Sequence, residues 1–426
     1  MTDPHADSRA AGSSVPADDA ELPALASPRQ AARAFIFITV VLDVLALGIV
    51  IPVLPELVKE FLHDDTKRAA EFFGLFGMVW ALMQFVFSPV MGALSDRFGR
   101  RPVLLLSMLG LGLDYVLMAL APTLGWLFVG RVISGITSAS FTTAAAYIAD
   151  VTPVHKRAAG FGMLSAAFGL GFVLGPAFGG VLGEIDPRLP FWVAAGFTLL
   201  NATYGMLVLP ESLPRERRAT FTWQRANPIG ALNLLRSHHE LLGLATVMFL
   251  NFLAHEVLPS VFVLYAGYRY DWDVQAVGLT LAIAGICSMI VQGAMVPPFV
   301  RRFGERSAVI LGLLLGTAGL LIFGVAGTGP VFLIGIPFMS LWGLAGPSAQ
   351  SLMTRHVSAT EQGKLQGALN SLRGITGMIG PVLFTSIFAA FIETERSVEL
   401  PGAPFLMATL LLASAALLSW RVTRHA

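Results

Sequence analysis

Residues 91–103 read MGALSDRFGRRPV and sit between two long apolar runs. Only 13% of the 426 residues are charged, yet Asp96, Arg97, Arg100 and Arg101 crowd together here, bracketed by Gly92 and Gly99. Charges this dense between apolar runs mark a turn at a water interface, because hydrocarbon tolerates neither sign. Glycine at 92 and 99 permits a tight turn and close helix approach. Asp96 can sit against a helix N-terminus, and the three arginines can pair with acids at neighbouring helix ends, of which Asp150 is one. Contacts of this kind can hold in one conformation and break in another, which makes the segment a candidate conformational switch.

The rest of the chain fits that setting. Hydrophobic residues make up 55% of it, and mean hydropathy is +0.71. Many apolar runs exceed the roughly 20 residues needed to cross a bilayer. Two of them, 158–183 and 189–210, contain no Asp, Glu, Lys or Arg. The alternating segments of a membrane β-barrel are absent. The expectation is an all-α membrane protein with twelve transmembrane helices, near 34–58, 71–95, 102–121, 124–148, 158–183, 189–209, 240–266, 274–299, 307–326, 330–353, 363–391 and 401–420. The single cysteine, Cys287, lies in an apolar run, so no disulfide framework exists. Residues 1–33, rich in Ala, Ser, Pro and Asp, read as a disordered cytoplasmic tail without the features of a signal peptide.

Basic residues orient the helices. Twenty of the 28 Lys and Arg fall in the tail and loops on one side and six on the other, while Arg131 and Arg373 lie within spans. The positive-inside rule then places both termini and the 91–103 turn in the cytoplasm. A multi-pass location in the cell membrane follows, the inner membrane if the cell is bacterial.

The turn has an echo. RFGRRPVLLLSMLG at 97–110 returns in degenerate form as RFGERSAVILGLLLG at 302–316, 205 residues later. Gly175-Pro176 and Gly380-Pro381 stand at the same separation. Two landmarks at one offset imply two pseudo-symmetric six-helix halves, 34–209 and 240–426, joined by a cytoplasmic connector at 210–239. Parallel repeats of this kind place a substrate site near the midplane between the halves, with rocking giving alternating access.

GALSDRFGRRPV resembles the major facilitator superfamily signature between the second and third helices, which implies the major facilitator fold. GLGFVLGPAFGG, Gly169 to Gly180, resembles the fifth-helix pattern of that family's proton-coupled exporters, carried by Gly171, Gly175, Pro176, Gly179 and Gly180. Pro176 removes a helix hydrogen bond, and the glycines offer a close-packing face. GRVISG, Gly130 to Gly135, resembles the exporter motif of the fourth helix. LDVLALGIVIPVLPEL (42–57) and LDYVLMA (113–119) resemble the drug:proton antiporter branch that includes the tetracycline-resistance exporters. Those exporters carry a His in the eighth helix and an Asp in the ninth, where this chain has Ser288 and Gly316. The substrate is therefore not specified as tetracycline.

Ionisable residues inside spans are costly and mark functional sites by default. Here they are Asp43, Asp114, Arg131, His255, Glu256 and Arg373. A proton antiporter needs a carboxylate that binds a proton when open to one side and releases it when open to the other. Asp43 is the first choice for that carrier and Asp114 the second, with Arg131 the cation that expels the proton. Asp114 paired structurally with Arg131 is the alternative. His255 and Glu256 point about 100° apart on a helix, so one faces a cavity and the other a neighbouring helix. Together with Arg373, Gln292 and Asn251 they are candidate cavity residues. Uncharged polar groups in spans, Asn201 and Asn251 among them, more often make interhelical hydrogen bonds.

The expected function is proton-coupled efflux of small amphipathic, drug-like molecules. The alternative is a facilitator or proton symporter of a small polar metabolite. Metal-ligand spacings, nucleotide loops and nucleophile motifs are all missing, so neither enzymatic chemistry, a cofactor nor ATP-driven pumping is indicated. The expected partners are substrate, protons and lipid, with no nucleic acid, and the pathway needs only a monomer.

Overall fold

The computed structural model describes residues 28–138, 140–152, 157–220, 232, 234–235, 239–358, 361–392 and 399–425. The expected tail lies outside the described residues up to residue 27, but its last part, 28–33, is not disordered and begins the helix Pro28–Val50; 221–231, 233 and 236–238 of the connector also lie outside. Among the described residues every regular element is helical.

Eleven continuous helical stretches are long and apolar enough to cross a bilayer: Ile36–Phe61, Thr66–Phe98, Arg100–Ala119, Leu124–Val151, Gly162–Ile185, Leu189–Val208, Leu241–Tyr270, Val274–Val325, Gly329–Arg355, Gln362–Phe391 and Ala403–Val422. Val274–Val325 is 52 residues long and reverses at Gly304, where φ is 80° and ψ 163°. It holds two crossings, which brings the total to the expected twelve, counted below in chain order. Gly99, 205 residues earlier, has φ 107° and ψ 158° and separates the second span from the third. Both turns use a backbone conformation that glycine alone adopts cheaply.

Several spans expected as single helices are broken, and proline explains where. A proline ring clashes with the carbonyl four residues before it and supplies no N–H. Pro259 stands four residues after His255, where the seventh span divides into His239–His255 and Val257–Tyr270. Pro297 stands four after Gly293, inside the π-helical turn Val291–Met295 of the eighth. Pro347 stands four after Gly343, inside the 3-10 turn Trp342–Leu344 of the tenth. The first span breaks between Val50 and Leu54, around Pro52.

The halves meet along two seams, the second span against the eleventh and the fifth against the eighth. In the first seam Gly74 and Gly77 lie against Thr385 and Pro381, Ala81 against Gly377, and Phe85 against Gly374. In the other, Gly278 abuts Pro176 and Gly180, and Gly285 abuts Val173. These contacts occupy the part of the bundle away from the arginine-rich turns. Toward those turns, a Cβ added at Gly92, Gly162, Gly293 or Gly363 of the same four spans would meet nothing within 4 Å. The close contacts between the halves thus lie toward the end away from the arginine-rich turns.

Candidate functional site

In the N-terminal half, Asp43 is 8% exposed and accepts a hydrogen bond from Asn201 Nδ2 at 3.0 Å; the same amide donates to the Thr39 carbonyl at 3.1 Å. The sixth span thus holds the first-span carboxylate, and Asn201 makes the interhelical bond its residue type suggested. Asp114 is 1% exposed, and neither carboxylate oxygen has a hydrogen-bond partner. It faces Gly130 of the fourth span, where a side chain would crowd its Oδ1. Arg131, buried next to that glycine, donates to Met118 Sδ at 3.1 Å. Asp114 and Arg131 interact electrostatically, yet no ion pair within 4 Å joins them among the described residues. The structural pairing considered from the sequence is therefore not formed here. A buried carboxylate with an arginine close but unengaged can change its proton affinity when the two approach or part.

The arginine-rich turn is a network. Arg100 pairs with Asp96 one turn earlier and with Asp150 of the fourth span at 3.1 Å, and donates to Ser95 Oγ at 2.7 Å. Arg101 donates to the Met206 carbonyl, whereas Arg97 lies over the Phe98 ring. Asp96 pairs with Arg100 rather than resting on a helix N-terminus. That role falls to Glu211, just beyond the sixth span, which accepts from the Arg100 amide at 2.9 Å and pairs with Arg218 at 3.8 Å. Nothing in the sequence around Glu211 points to this cap, because its partner lies 111 residues away. Gly99 has Glu211 directly over its Cα, so any side chain would displace the acid. Gly92 carries no such contact.

The fifth-span motif divides its glycines between two neighbours. Gly171, Gly175 and Gly179, spaced one turn apart, pack on Val44, Gly48 and Ile49 of the first span. Gly180 faces Val274 and Gly278 of the eighth span, across the seam between halves, with the Pro176 carbonyl beside Gly278. One helix therefore joins the Asp43-bearing span to the opposite half.

In the C-terminal half the proline-set breaks gather the polar candidates. The His255 ring lies 5.4 Å from the Trp342 ring. Trp342 Nε1 donates to Asn251 Oδ1 at 2.7 Å, which turns Asn251 toward the tenth span. Gln292 packs on Gly343 in the same break. Glu256 packs on Gly380 of the eleventh span, and the Arg373 guanidinium lies 4.8 Å from the Phe252 ring centre. His255 and Glu256 thus face different spans. His255, Gln292 and Arg373 are exposed even though each sits near the middle of its span. No carboxylate lies within 4 Å of Arg373 among the described residues. The structure brings the C-terminal candidates around one region bounded by the seventh, eighth, tenth and eleventh spans, separate from the Asp43 and Asp114 sites. Trp342 was not anticipated. Gly316 makes room for it: a Cβ there would lie 2.6 Å from Trp342 Cγ.

Residues 36–381 match the family model described as Major Facilitator Superfamily. The chain is 39% identical to the tetracycline resistance protein, class C, of Escherichia coli over 84% of its own length and 89% of that relative. It is 36% identical to the class D protein of Salmonella ordonez over 87% and 91% of the two lengths. Among solved structures it resembles a bacterial homologue of the human lysosomal transporter Spinster, captured inward-facing and unoccupied, with a TM-score of 0.74, 16% identity and coverage of 93% of this chain and 97% of that one. With twelve spans, two pseudo-symmetric halves and a family match over most of its length, this multi-pass membrane chain belongs to the Major Facilitator Superfamily.

Proposed function

We propose that the protein is a proton-coupled exporter that moves small amphipathic, drug-like molecules across the cell membrane by alternating access. The observation that carries this reading is the pair of buried acids in the N-terminal half, Asp43 held by Asn201 and Asp114 with no hydrogen-bond partner. Buried carboxylates at membrane depth are retained where a proton must be bound and released. Kinship with tetracycline resistance proteins agrees with efflux of a drug-like compound.

In this account the halves span 34–209 and 240–426, with the connector between them and both termini in the cytoplasm. The arginine-rich end then faces the cytoplasm. Asp43 carries the proton, Asp114 is a second site, and Arg131 moves against Asp114 to expel a proton in one state. Substrate enters the region lined by His255, Glu256, Gln292 and Arg373, with Asn251 fixing Trp342 behind them. The Gly92–Arg101 turn with Asp150, and the fifth-span glycines with Pro176, set which end is sealed. A monomer suffices.

Inside-out vesicles loaded with acid provide the test. A fluorescent acridine reports the gradient while tetracycline and other amphipathic compounds are added singly. Compound-dependent proton release, absent in Asp43→Asn, is expected. Compound movement without proton release would contradict the proposal.

A further inference from the structure

We infer that the Tyr115 hydroxyl passes protons between Asp43 and Asp114 through a hydrated polar seam inside the N-terminal half. This rests on the proton-coupling reading above and adds a route to it. Tyr115 is fully buried, and its hydroxyl has no hydrogen-bond partner. It follows Asp114 on the third span, which packs on the sixth span, and the sixth span holds Asp43 through Asn201.

Tyr115 is not the only orphan. Thr39 Oγ1, Thr198 Oγ1, Asn201 Oδ1, Arg131 Nε, Ser134 Oγ and both Asp114 oxygens are also buried without partners. They come from the first, third, fourth and sixth spans, which pack on one another. Thr39 precedes Asp43 by four residues and Thr198 precedes Asn201 by three, so each shares a helix face with its neighbour. Among the described residues of the C-terminal half the corresponding atoms are hydroxyls, at Ser260, Ser348 and Ser419, while the buried Glu305 oxygen is paired with Arg355. An unsatisfied polar group in hydrocarbon costs several kcal/mol. A cluster of them is stable when water bridges its members, and such a site is polar enough to hold water.

The transfer balances without another reactant. Protonated Asp43 gives its proton, directly or through water, to the Tyr115 oxygen. Tyr115 releases its own hydroxyl proton toward an Asp114 oxygen, which leaves Asp43 ionised, Asp114 protonated and Tyr115 neutral. Tyr115 is a positioning and relay group and does not contact substrate.

Tyr115→Phe removes only the hydroxyl. Wild type and variant are reconstituted into liposomes, with tetracycline as the probe if it is transported and otherwise the compound that releases protons in the vesicle assay. Two rates are read: transport driven by a pH gradient, and exchange of labelled for unlabelled compound at equal pH. The expected result is a loss of gradient-driven rate of up to about 100-fold, in the range of a lost proton-transfer group, with exchange at the wild-type rate. Gradient-driven transport at the wild-type rate, or equal loss of both rates, would overturn the inference. If Tyr115→Phe does not fold, Thr198→Val decides: the same split supports the relay, and its absence overturns it. A wild-type protein that moves compound without protons fails the coupling reading itself, and the relay falls with it.

Discussion

Glu305 pairs with Arg355 at 2.6 Å, and this is the Arg100–Asp150 pair of 3.1 Å repeated 205 residues later with its charges exchanged. Each turn thus locks its own half by tying the start of one span to the end of the next. The exchange also explains why the second turn reads as a degenerate echo: both partners changed sign together. Ser351 donates to Glu305 at 2.6 Å, as Ser95 accepts from Arg100 in the first half.

Charge reversal at one partner should therefore be repaired at the other. Glu305→Arg and Arg355→Glu, made singly, are expected to lower transport by about fivefold or less, since Arg355 is largely exposed and such pairs are weak. The double variant should recover most of the rate. Transport measured in vesicles for all three variants checks this, and a double variant worse than either single would count against it.

The two ends of the second–eleventh seam are expected to differ in access. In a Cys287→Ser background, Gly92→Cys should react quickly with a membrane-impermeant maleimide from the arginine-rich side. Ala81→Cys, in the closed second–eleventh seam, should stay protected. Equal labelling of both sites would mean that the seam does not close.

Trp342 locks the break in the tenth span. Trp342→Phe keeps an aromatic ring against His255 but strands Asn251, a loss expected to cost about 1–3 kcal/mol. Thermal unfolding in detergent should register it as a lower midpoint. Gly316→Leu should be at least as damaging, because its side chain would occupy the space of the indole.

Gly48 and Gly175 let the first and fifth spans touch backbone to backbone. Gly175→Leu is expected to separate them and to abolish transport while lowering the yield of folded protein, as read by size-exclusion chromatography. A well-folded, active Gly175→Leu variant would show that the close approach is dispensable.

Much of this was legible in the chain, for physical reasons. Span number and the repeat follow from hydropathy and from Arg-Phe-Gly turns, because a bilayer imposes length and glycine imposes geometry. The helix breaks at His255, Gln292 and Trp342 were written in Pro259, Pro297 and Pro347, yet reading them requires knowing that those prolines lie inside spans. The buried acids announced themselves by being charged in an apolar run. What joins them did not: the Asn201 bond to Asp43 spans 158 residues, and Tyr115 is one aromatic among many. Such partners are set by which helices pack together, and no local pattern records that. The exchange of Arg131's partner from Asp114 to Met118 was likewise invisible, since both candidates stand on the same span.

If Asp43 carries the coupling proton, a pH gradient drives the substrate against its own gradient. Purified protein in liposomes, with an imposed pH gradient and a transported compound, tests it most directly. The wild-type protein should concentrate the compound in the acidic compartment above equilibrium, and Asp43→Asn should only equalise it. Accumulation by Asp43→Asn at the wild-type level would contradict the account.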